Sequence, residues 1–352
     1  MEYQKRIEDF LKNIQSKSTK SLGYPLNPKM RDNGILCEFL QYTLNNIGDP
    51  FKESNYQLNS FEFEREVIAF FQNVFNAPKE SYGYVTSGGS EGNLYGIANG
   101  LKRLPNAKVV YSKDAHYSVR KACELLRVKH GNNNIEIINE KDGVILVATY
   151  GTTFTGELED YQEQLKYLND NNIPHYIHCD MALYGSFCPF LPEGLKPPFI
   201  PSFQDIDSLS ISGHKFFAVG LPCGVVLTKE PMSGRLVEYT GCHDNTLLGS
   251  RSGFAALFFW YRIQQFLERG LVKMAKKCVD KAELAIKLIP NSYRTGKWSN
   301  TVIFPKPSNK LCKEWQLATQ GNEAHIICMT KTLNCSMRNF AKEYNNETAI
   351  KR

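Results

Sequence analysis

The chain lacks any apolar run long enough to cross a bilayer, since its longest runs, such as Gly253–Tyr261, are far too short. It also lacks an uninterrupted block of basic residues, although its formal net charge is +6, and this argues against a nucleic-acid partner. Residues 1–15 are charged and amphipathic, without the apolar centre of a signal peptide. These absences predict a cytoplasmic protein that binds neither membrane nor nucleic acid.

None of the ten cysteines belongs to a CxxC pair, so reduced and mostly buried thiols are expected rather than a disulfide framework. A metal site is not expected either. His175 and His178 lie three residues apart on a predicted strand, and their side chains therefore point to opposite faces.

The middle of the chain alternates short apolar strands with helices, which is typical of an α/β fold with a mostly parallel sheet covered by helices. The predicted strands are 83–86, 109–112, 135–138, 144–150, 176–179, 208–212 and 224–228. The predicted helices are 2–16, 34–46, 60–75, 91–103, 117–129, 159–171, 250–269 and 271–289. Ligands of such sheets bind beyond the carboxyl ends of the strands.

The 352 residues exceed one typical domain. We expect an N-terminal helical segment at 1–50, a large cofactor-binding domain at 51–245, and a connecting helix with a smaller α+β domain at 246–352. In the last of these, strands are expected near 298–304 and 325–329, with a helix between them.

A glycine-rich turn, Thr86-Ser87-Gly88-Gly89-Ser90, separates a predicted strand from a predicted helix. Glycines let the backbone approach an anion, and a helix N-terminus offers free N–H groups with a favourable dipole. The turn lacks the Gly-Lys-Ser/Thr ending of a Walker loop. We interpret it as a phosphate cradle, the alternative being an ordinary strand-to-helix turn.

Two other predicted strands lead into Asp180 and Lys215. A carboxylate at the end of a strand can bond a pyridine nitrogen and keep it protonated, the alternative being a helix cap. Lys215 runs into the apolar Phe216-Phe217-Ala218, where an ammonium group must be paired or lose its proton. A lysine that has lost its proton can form an imine with an aldehyde. The alternative is a side chain whose charged end extends into water.

The order of these motifs along the chain indicates one kind of site more specifically than any single motif does. A phosphate cradle is followed by a possible ring platform at His116, hydroxyls at Thr152 and Thr153, a carboxylate and a lysine. This set predicts a site for pyridoxal 5′-phosphate, used as an electron sink.

Over about residues 20–330, the chain resembles the group II pyridoxal-phosphate decarboxylases, which have the type I aminotransferase fold. Within that group it is similar to the bacterial histidine decarboxylases and to the plant serine and histidine decarboxylases. The segments that carry the narrower likeness are Leu22-Gly23-Tyr24-Pro25, Asn59-Ser60-Phe61-Glu62-Phe63-Glu64, Gly83-Tyr84-Val85-Thr86, Tyr111-Ser112-Lys113-Asp114, Gly249-Ser250-Arg251, Leu317-Ala318-Thr319 and Ala324-His325-Ile326.

The resemblance implies a role for each residue of the site. The residues implied in cofactor binding are Ser87, Gly88, Gly89, Ser90, His116, Thr153, Asp180, Ala182, Ser212, His214 and Lys215. Lys215 is implied as the imine former, Asp180 as the partner of the pyridine nitrogen, and His116 as the ring that stacks on the cofactor and contacts the substrate. The implied catalytic residues are these three.

The resemblance implies binding roles, rather than catalytic ones, for the other residues of the site. Ser212 and His214 join the turn at the phosphate, Ala182 lies under the ring, and Thr153 binds near the phenolic oxygen.

The resemblance also implies a homodimer with interfacial active sites, in which residues 239–251 reach the neighbouring site. Tyr239 and His243 are candidate donors of the proton to the α-carbon. The chain departs from its relatives at Met329-Thr330, where they read Met-Pro, and from Leu333 onward it matches poorly. A shortened or altered C-terminal helix is therefore expected.

The function predicted from the sequence is decarboxylation of a small-molecule amino-acid substrate, first of all L-histidine to histamine, with serine as the competing substrate. A carbon–carbon lyase or an aminotransferase of the same fold would differ in its product. A protein that binds the cofactor but acts only as an interaction partner is a further alternative. Retention of Lys215, Asp180 and His116 weighs against it.

Overall fold

The computed structural model of the chain describes residues 2–27, 34–132 and 141–350. The α-helices are α1 Glu2–Ser18, α2 Gly34–Glu38, α3 Phe61–Val74, α4 Gly89–Arg103, α5 Tyr117–Leu126, α6 Gln162–Asp170, α7 Tyr184–Phe187, α8 Gly253–Arg269, α9 Leu271–Leu288, α10 Asn309–Glu314 and α11 Asn334–Ile350. The β-strands are β1 Asn45–Ile47, β2 Tyr82–Thr86, β3 Lys108–Tyr111, β4 His130–Asn132, β5 Val144–Thr149, β6 His175–Asp180, β7 Ser208–Ser212, β8 Gly224–Thr228, β9 Arg235–Val237, β10 Cys242–Asp244, β11 Ser250–Ser252, β12 Thr301–Pro305, β13 Ala318–Gln320 and β14 Glu323–Ile327.

A seven-stranded sheet in the order β2-β8-β7-β6-β5-β3-β4 forms the centre of the larger part. The pairs from β7 to β4 are parallel, whereas β8 runs antiparallel to both β7 and β2. Every residue of β2, β5, β7 and β8 is buried, as expected for strands covered on both faces. The prediction of an α/β fold with a mostly parallel sheet is therefore confirmed.

Helix α4 packs unusually closely on this sheet because glycines recur at every fourth position of its sequence. A Cβ atom at Gly92 would lie 2.2 Å from Ser210 Oγ, and one at Gly96 would lie 2.2 Å from His178 Nδ1. The glycines thus let α4 approach β6 and β7, and this close approach sets the position of the turn that precedes the helix.

A three-stranded antiparallel sheet, β12-β14-β13, belongs to a second hydrophobic core. Helices α9 and α11 contribute to that core, and α11 buries Met337, Phe340, Ala341 and Tyr344. The poorly matching end of the chain therefore forms a helix of 17 residues with a buried face.

The predicted helix at 34–46 is correct only at its start, since Gly34–Glu38 are α-helical and Phe39–Gln41 form a 3₁₀ turn. Helix α2 ends at Glu38, and Asn45–Ile47 instead form β1, paired antiparallel with β11. The reason is tertiary: Asn46 lies opposite Arg251 in this pair, and its amide donates to the buried Glu64 at 2.6 Å. Local spacing of apolar residues does not reveal such a partner. The strand predicted at 135–138 lies outside the described residues.

Other predicted elements exist with shifted ends. The strand expected near 298–304 is β12, and the one expected near 325–329 is β14. Among the residues described, no helix is both long and apolar enough to span a membrane.

Candidate active site

One cavity of about 740 Å³ lies at the carboxyl edge of the seven-stranded sheet. Strands β2, β5, β6 and β7 all end at this edge because they run in the same direction. The wall includes every residue predicted to bind the cofactor: Ser87, Gly88, Gly89, Ser90, His116, Thr153, Asp180, Ala182, Ser212, His214 and Lys215. The structure thus brings together side chains separated by up to 128 positions in the sequence (215 − 87).

The glycine-rich turn between β2 and α4 is shaped for a small anion. Gly88 has φ +151°, and a Cβ atom on Gly89 would lie 3.0 Å from Ser212 Oγ. The turn begins a helix of 15 residues, so its first N–H groups point out of the helix and carry the positive end of the helix dipole. Glycines here leave a concave space that a larger side chain would fill.

Buried side chains hold this turn from behind. Ser87 N donates to Glu91 Oε2 at 2.7 Å, and Tyr84 Oη donates to the other oxygen of Glu91 at 2.9 Å. The guanidinium of Arg251 lies 5.2 Å from the Tyr84 ring and pairs with the buried Glu64. The turn is therefore fixed before a ligand arrives, with the N–H of Ser87 already used.

His214 and Ser212 complete the wall beside the turn. The Nδ1 atom of His214 is 2.9 Å from the carbonyl oxygen of Cys223, which orients the ring. Burial lowers the pKa of His214; the Cys223 carbonyl opposes that effect, while Lys215 adds to it. A neutral imidazole carries a single N–H, and the Cys223 carbonyl accepts it at Nδ1, so Nε2 would have to gain a proton before it could donate to an anion.

Lys215 follows β7 and is partly buried in the wall of the cavity. Burial lowers the pKa of its amine, and the nearby Asp180 carboxylate acts in the opposite direction. Its backbone carbonyl accepts from Asn27 Nδ2 at 2.9 Å, and Thr330 Oγ1 donates to Asn27 Oδ1 at 3.0 Å. Thr330, where the chain departs from the expected Met-Pro, thus contributes to holding the lysine backbone.

Asp180 is 4% exposed, and both of its oxygens accept hydrogen bonds. Asn93 Nδ2 donates to Oδ2 at 2.7 Å, and the backbone N–H of Ala182 donates to Oδ1 at 3.1 Å. A buried carboxylate held from two sides keeps one orientation. It lines the cavity at the end of β6, where it can face a cationic group of a ligand.

His116 caps the N-terminus of α5, where its Nδ1 accepts from Ser118 N at 3.2 Å and lies 2.7 Å from Ser118 Oγ. Burial lowers the pKa of His116, opposed by Asp180 and aided by Lys215. The net shift favours the neutral form of the ring, which lies in the cavity wall.

The two strand-end threonines differ. The hydroxyl of Thr152 is 2.7 Å from Thr155 Oγ1 and accepts from Glu157 N at 3.0 Å, so it is used within its own turn. Thr153 is exposed in the cavity. This difference favours Thr153 as the residue that contacts a ligand.

A part of the wall that the sequence did not assign comes from the segment around Gly23 and the small sheet. Nε2 of His325 lies 2.9 Å from the carbonyl oxygen of Gly23, and Nδ1 lies 2.6 Å from that of Phe154. The His325 ring also stacks on Phe154, with centroids 4.8 Å apart. His325 therefore joins three segments at the cavity, with Tyr24 and Gln320 nearby in the wall.

Tyr239 and His243 do not line this cavity in the described part of the chain. They lie at the β9–β10 hairpin, where Tyr239 is 84% exposed. Neither side chain therefore reaches the cavity of its own chain in this structure.

Asn93, Ser118 and Asn27 are residues for which the sequence suggested no role. Asn93 carries the clearest signal in retrospect, because asparagine is unfavourable inside a helix and this one is 1% exposed. Only the fold shows that its neighbours are His178 and Asp180.

Comparison with known proteins gives concordant results. Residues 10–295 match the model of the pyridoxal-dependent decarboxylase conserved domain. Serine decarboxylase 2 of Oryza sativa subsp. japonica is 36% identical over 345 residues, covering 91% of this chain and 73% of the relative. Histidine decarboxylase of Vibrio campbellii is 36% identical over 350 residues, covering 92% of this chain and 89% of the relative.

Solved structures agree on the fold. L-methionine decarboxylase from Streptomyces sp. 590 superposes with a TM-score of 0.88 at 20% identity, covering 99% of this chain and 95% of that one.

Proposed function

The chain belongs to the pyridoxal-dependent decarboxylase family, and from that premise we propose that it converts L-histidine to histamine and carbon dioxide. Decarboxylation of an amino acid with pyridoxal 5′-phosphate is common to the family, whereas the choice of histidine is specific to this proposal. The observation that carries it is the single cavity in which the anion-binding turn, Asp180, His116 and Lys215 meet.

The cavity fits the cofactor in shape and chemistry. The turn at Gly88–Ser90, together with Ser212 and His214, would hold the phosphate, because the turn and Ser212 offer backbone N–H and hydroxyl donors around a glycine-lined concavity and the phosphate charge would favour a protonated His214. Asp180 would pair with the pyridine nitrogen. Bound pyridoxal phosphate supplies an electron sink for the pair left on the α-carbon when carbon dioxide departs.

Further contacts would fix the ring. Ala182 and His116 would lie on its two faces, and the exposed hydroxyl of Thr153 would bond near the phenolic oxygen. The Cβ atom of Ala182 lies beside the turn, 3.6 Å from the place of a Cβ atom on Gly89.

Lys215 would bind the aldehyde carbon through Nζ, which requires the amine in its neutral form. Burial shifts the protonation of Nζ in the required direction. Two N–H groups donate to the oxygens of Asp180 and hold the carboxylate in one orientation. His116, whose Nδ1 accepts from Ser118 N, would offer an Nε2–H to a carboxylate of the substrate.

Histidine is favoured over serine by the segments 59–64 and 317–326, which resemble the bacterial histidine decarboxylases. The second segment supplies part of the wall, where Thr319 and Gln320 are exposed. An amide and a hydroxyl can pair with both nitrogens of an imidazole, and a site that bonds its substrate in this way rejects analogues without those groups. Serine is the second candidate, because a serine decarboxylase is as similar to this chain as a histidine decarboxylase.

The substrate prediction is tested by carbon dioxide release from each of the twenty amino acids at equal concentration. L-Histidine is expected to have the highest kcat/KM of the panel. A polar site rejects unsuitable analogues by factors of about 10⁴, so one substrate is expected to dominate. A higher kcat/KM for serine or another amino acid would overturn the histidine assignment and leave the decarboxylase assignment intact.

A homodimer is the proposed assembly, and helix α1 supports it. Tyr3, Ile7, Phe10 and Ile14 recur at helical spacing, and each is between 46% and 64% exposed. No residue of α1 is buried within its own chain. An apolar helix face of this kind is suited to burial against a second copy.

Sedimentation at micromolar concentration is expected to show a dimer. Phe10→Asp is expected to weaken it, because it places a charge in the apolar face of α1, whereas Lys5→Asp on the opposite face serves as the control. A fully active wild-type monomer would contradict the dimer. Equal effects of the two variants would exclude the apolar face of α1 as its basis.

A further inference from the structure

We propose that Asn93 is a positioning residue of the active site, which holds the Asp180 carboxylate and at the same time fixes the tautomer of His116. The inference rests on the proposed function, since it takes Asp180 and His116 as the groups that face the cofactor. Asn93 itself does not act on the substrate.

The amide of Asn93 uses each of its polar hydrogens once. Its Nδ2 atom donates to Asp180 Oδ2 at 2.7 Å and to Ser118 Oγ at 3.0 Å. Its Oδ1 atom lies 3.1 Å from His178 Nε2. Three elements of the fold, β6, α5 and α4, therefore meet at one buried side chain.

The orientation of this amide follows from its partners. An ionised carboxylate only accepts hydrogen bonds, so the nitrogen of Asn93 must face Asp180 and its oxygen must face His178. His178 then carries its proton on Nε2, and its Nδ1 accepts from Ser208 Oγ at 2.7 Å. Burial lowers the pKa of His178 to about 4, which agrees with a neutral ring. The donors run in one direction, from Ser208 through His178 and Asn93 to Asp180.

The second N–H of Asn93 determines which ring nitrogen of His116 carries the hydrogen. By donating to Ser118 Oγ, it leaves the hydroxyl hydrogen of Ser118 directed at His116 Nδ1, 2.7 Å away. Ser118 N also donates to that nitrogen. His116 Nδ1 is thus an acceptor, and the neutral ring carries its proton on Nε2.

Packing around Asn93 leaves little freedom for another arrangement. Asn93, Ser118, His178 and Ser208 are each at most 3% exposed. A Cβ atom at Gly96, one turn along α4, would lie 2.2 Å from His178 Nδ1, so the helix presses directly on the histidine ring. An apolar residue at position 93 would fill the space at a lower free-energy cost, because asparagine is unfavourable in a helix interior. The hydrogen bonds to Asp180 and Ser118 explain why an asparagine is present at this position.

The first test compares Asn93→Ala with Asn99→Ala. Asn99 is a matched control on the same helix: it is also buried, and its amide donates to Glu230 O at 2.9 Å, away from the cavity. We expect Asn93→Ala to reduce kcat by about 10- to 100-fold, as for outer partners of metal ligands, with a smaller change in KM. Asn99→Ala is expected to change melting temperature but neither constant.

The second test uses the holoenzyme without substrate. In protein labelled with ¹⁵N-histidine, the His116 resonance (assigned with His116→Gln) is expected to show the Nε2–H tautomer in the wild type. Ser118→Ala keeps the Asn93–Asp180 contact but removes the hydroxyl, so the preference for this tautomer is expected to weaken. Asn93→Ala is expected to have the same effect.

The third test is the pH profile of Asn93→Asp. The charged groups that face His116 are Asp180 and Lys215, and this variant adds a further carboxylate nearby. An added negative charge favours the imidazolium and raises the pKa of His116. The acid limb of kcat/KM is therefore expected to move to higher pH by about one unit.

Unchanged kcat, tautomer and pH profile in the Asn93 variants would overturn the proposal. So would equal losses in Asn93→Ala and Asn99→Ala that follow melting temperature alone. If the wild type binds the cofactor but releases no carbon dioxide, the proposed function fails, while the ¹⁵N spectra still decide the role of Asn93. If Asn93→Ala does not fold, the tautomer of His116 in Ser118→Ala and the pH profile of Asn93→Asp still test the proposal.

Discussion

A Lys215→Ala variant is expected to fold normally and to lose decarboxylation, with kcat/KM at least about 10³-fold below the wild type. The loss follows because the variant has no amine at the end of β7 to bind the cofactor aldehyde. The backbone is expected to be unaffected, since Asn27 bonds the carbonyl of residue 215 rather than its side chain. Borohydride is expected to fix the cofactor to Lys215 in the wild type and to no residue in the variant.

Lys113→Ala is the matched control for this experiment. Lys113 also lines the cavity but is exposed, and its loss is expected to leave both borohydride fixation and turnover nearly unchanged. Specific fixation of the cofactor to some other lysine in Lys215→Ala would show that the role of Lys215 is misassigned.

Asp180→Asn is expected to retain the cofactor and to lower kcat by about 10²- to 10⁴-fold. An amide cannot stabilise a full positive charge on the pyridine nitrogen as a carboxylate does. The variant also disturbs the local bonds, because Asp180 accepts from both Asn93 and Ala182. An amide at this position turns one acceptor into a donor, which leaves one of those N–H groups unpaired at a cost of about 1–3 kcal/mol.

The measurements are kcat and the affinity for pyridoxal phosphate, compared with Asp114→Asn. Asp114 also lines the cavity but is exposed, so this control is expected to change neither quantity appreciably. Near-normal turnover of Asp180→Asn would contradict the proposed role of the carboxylate.

The sequence predicts the main sheet and the position of the site because both depend on local signals. Buried strands such as β5 and β7 are short apolar runs, and the turn needs glycine at Gly88 because its φ is +151°. Parallel strands then bring Asp180 and Lys215 to one edge without further information.

Other features depend on contacts that no local pattern contains. Strand β1 is read as a helix from its sequence, because its pairing with β11 joins segments about two hundred residues apart. Asn93 likewise acquires its partners only when α4 docks on β6 and α5, 85 positions from His178 and 25 from Ser118. The segment around Gly23 reaches the cavity because His325 bonds it.

The central claim, amino-acid decarboxylation at this cavity, is tested most directly with amino acids labelled in the carboxyl carbon. Cofactor-loaded wild type is incubated with an equimolar mixture of all twenty, and labelled carbon dioxide is collected while the amines are quantified. We expect labelled carbon dioxide and amine in equal amounts from the wild type, and neither from Lys215→Ala. Absence of labelled carbon dioxide from the wild type, or its replacement by a labelled keto acid, would contradict the account.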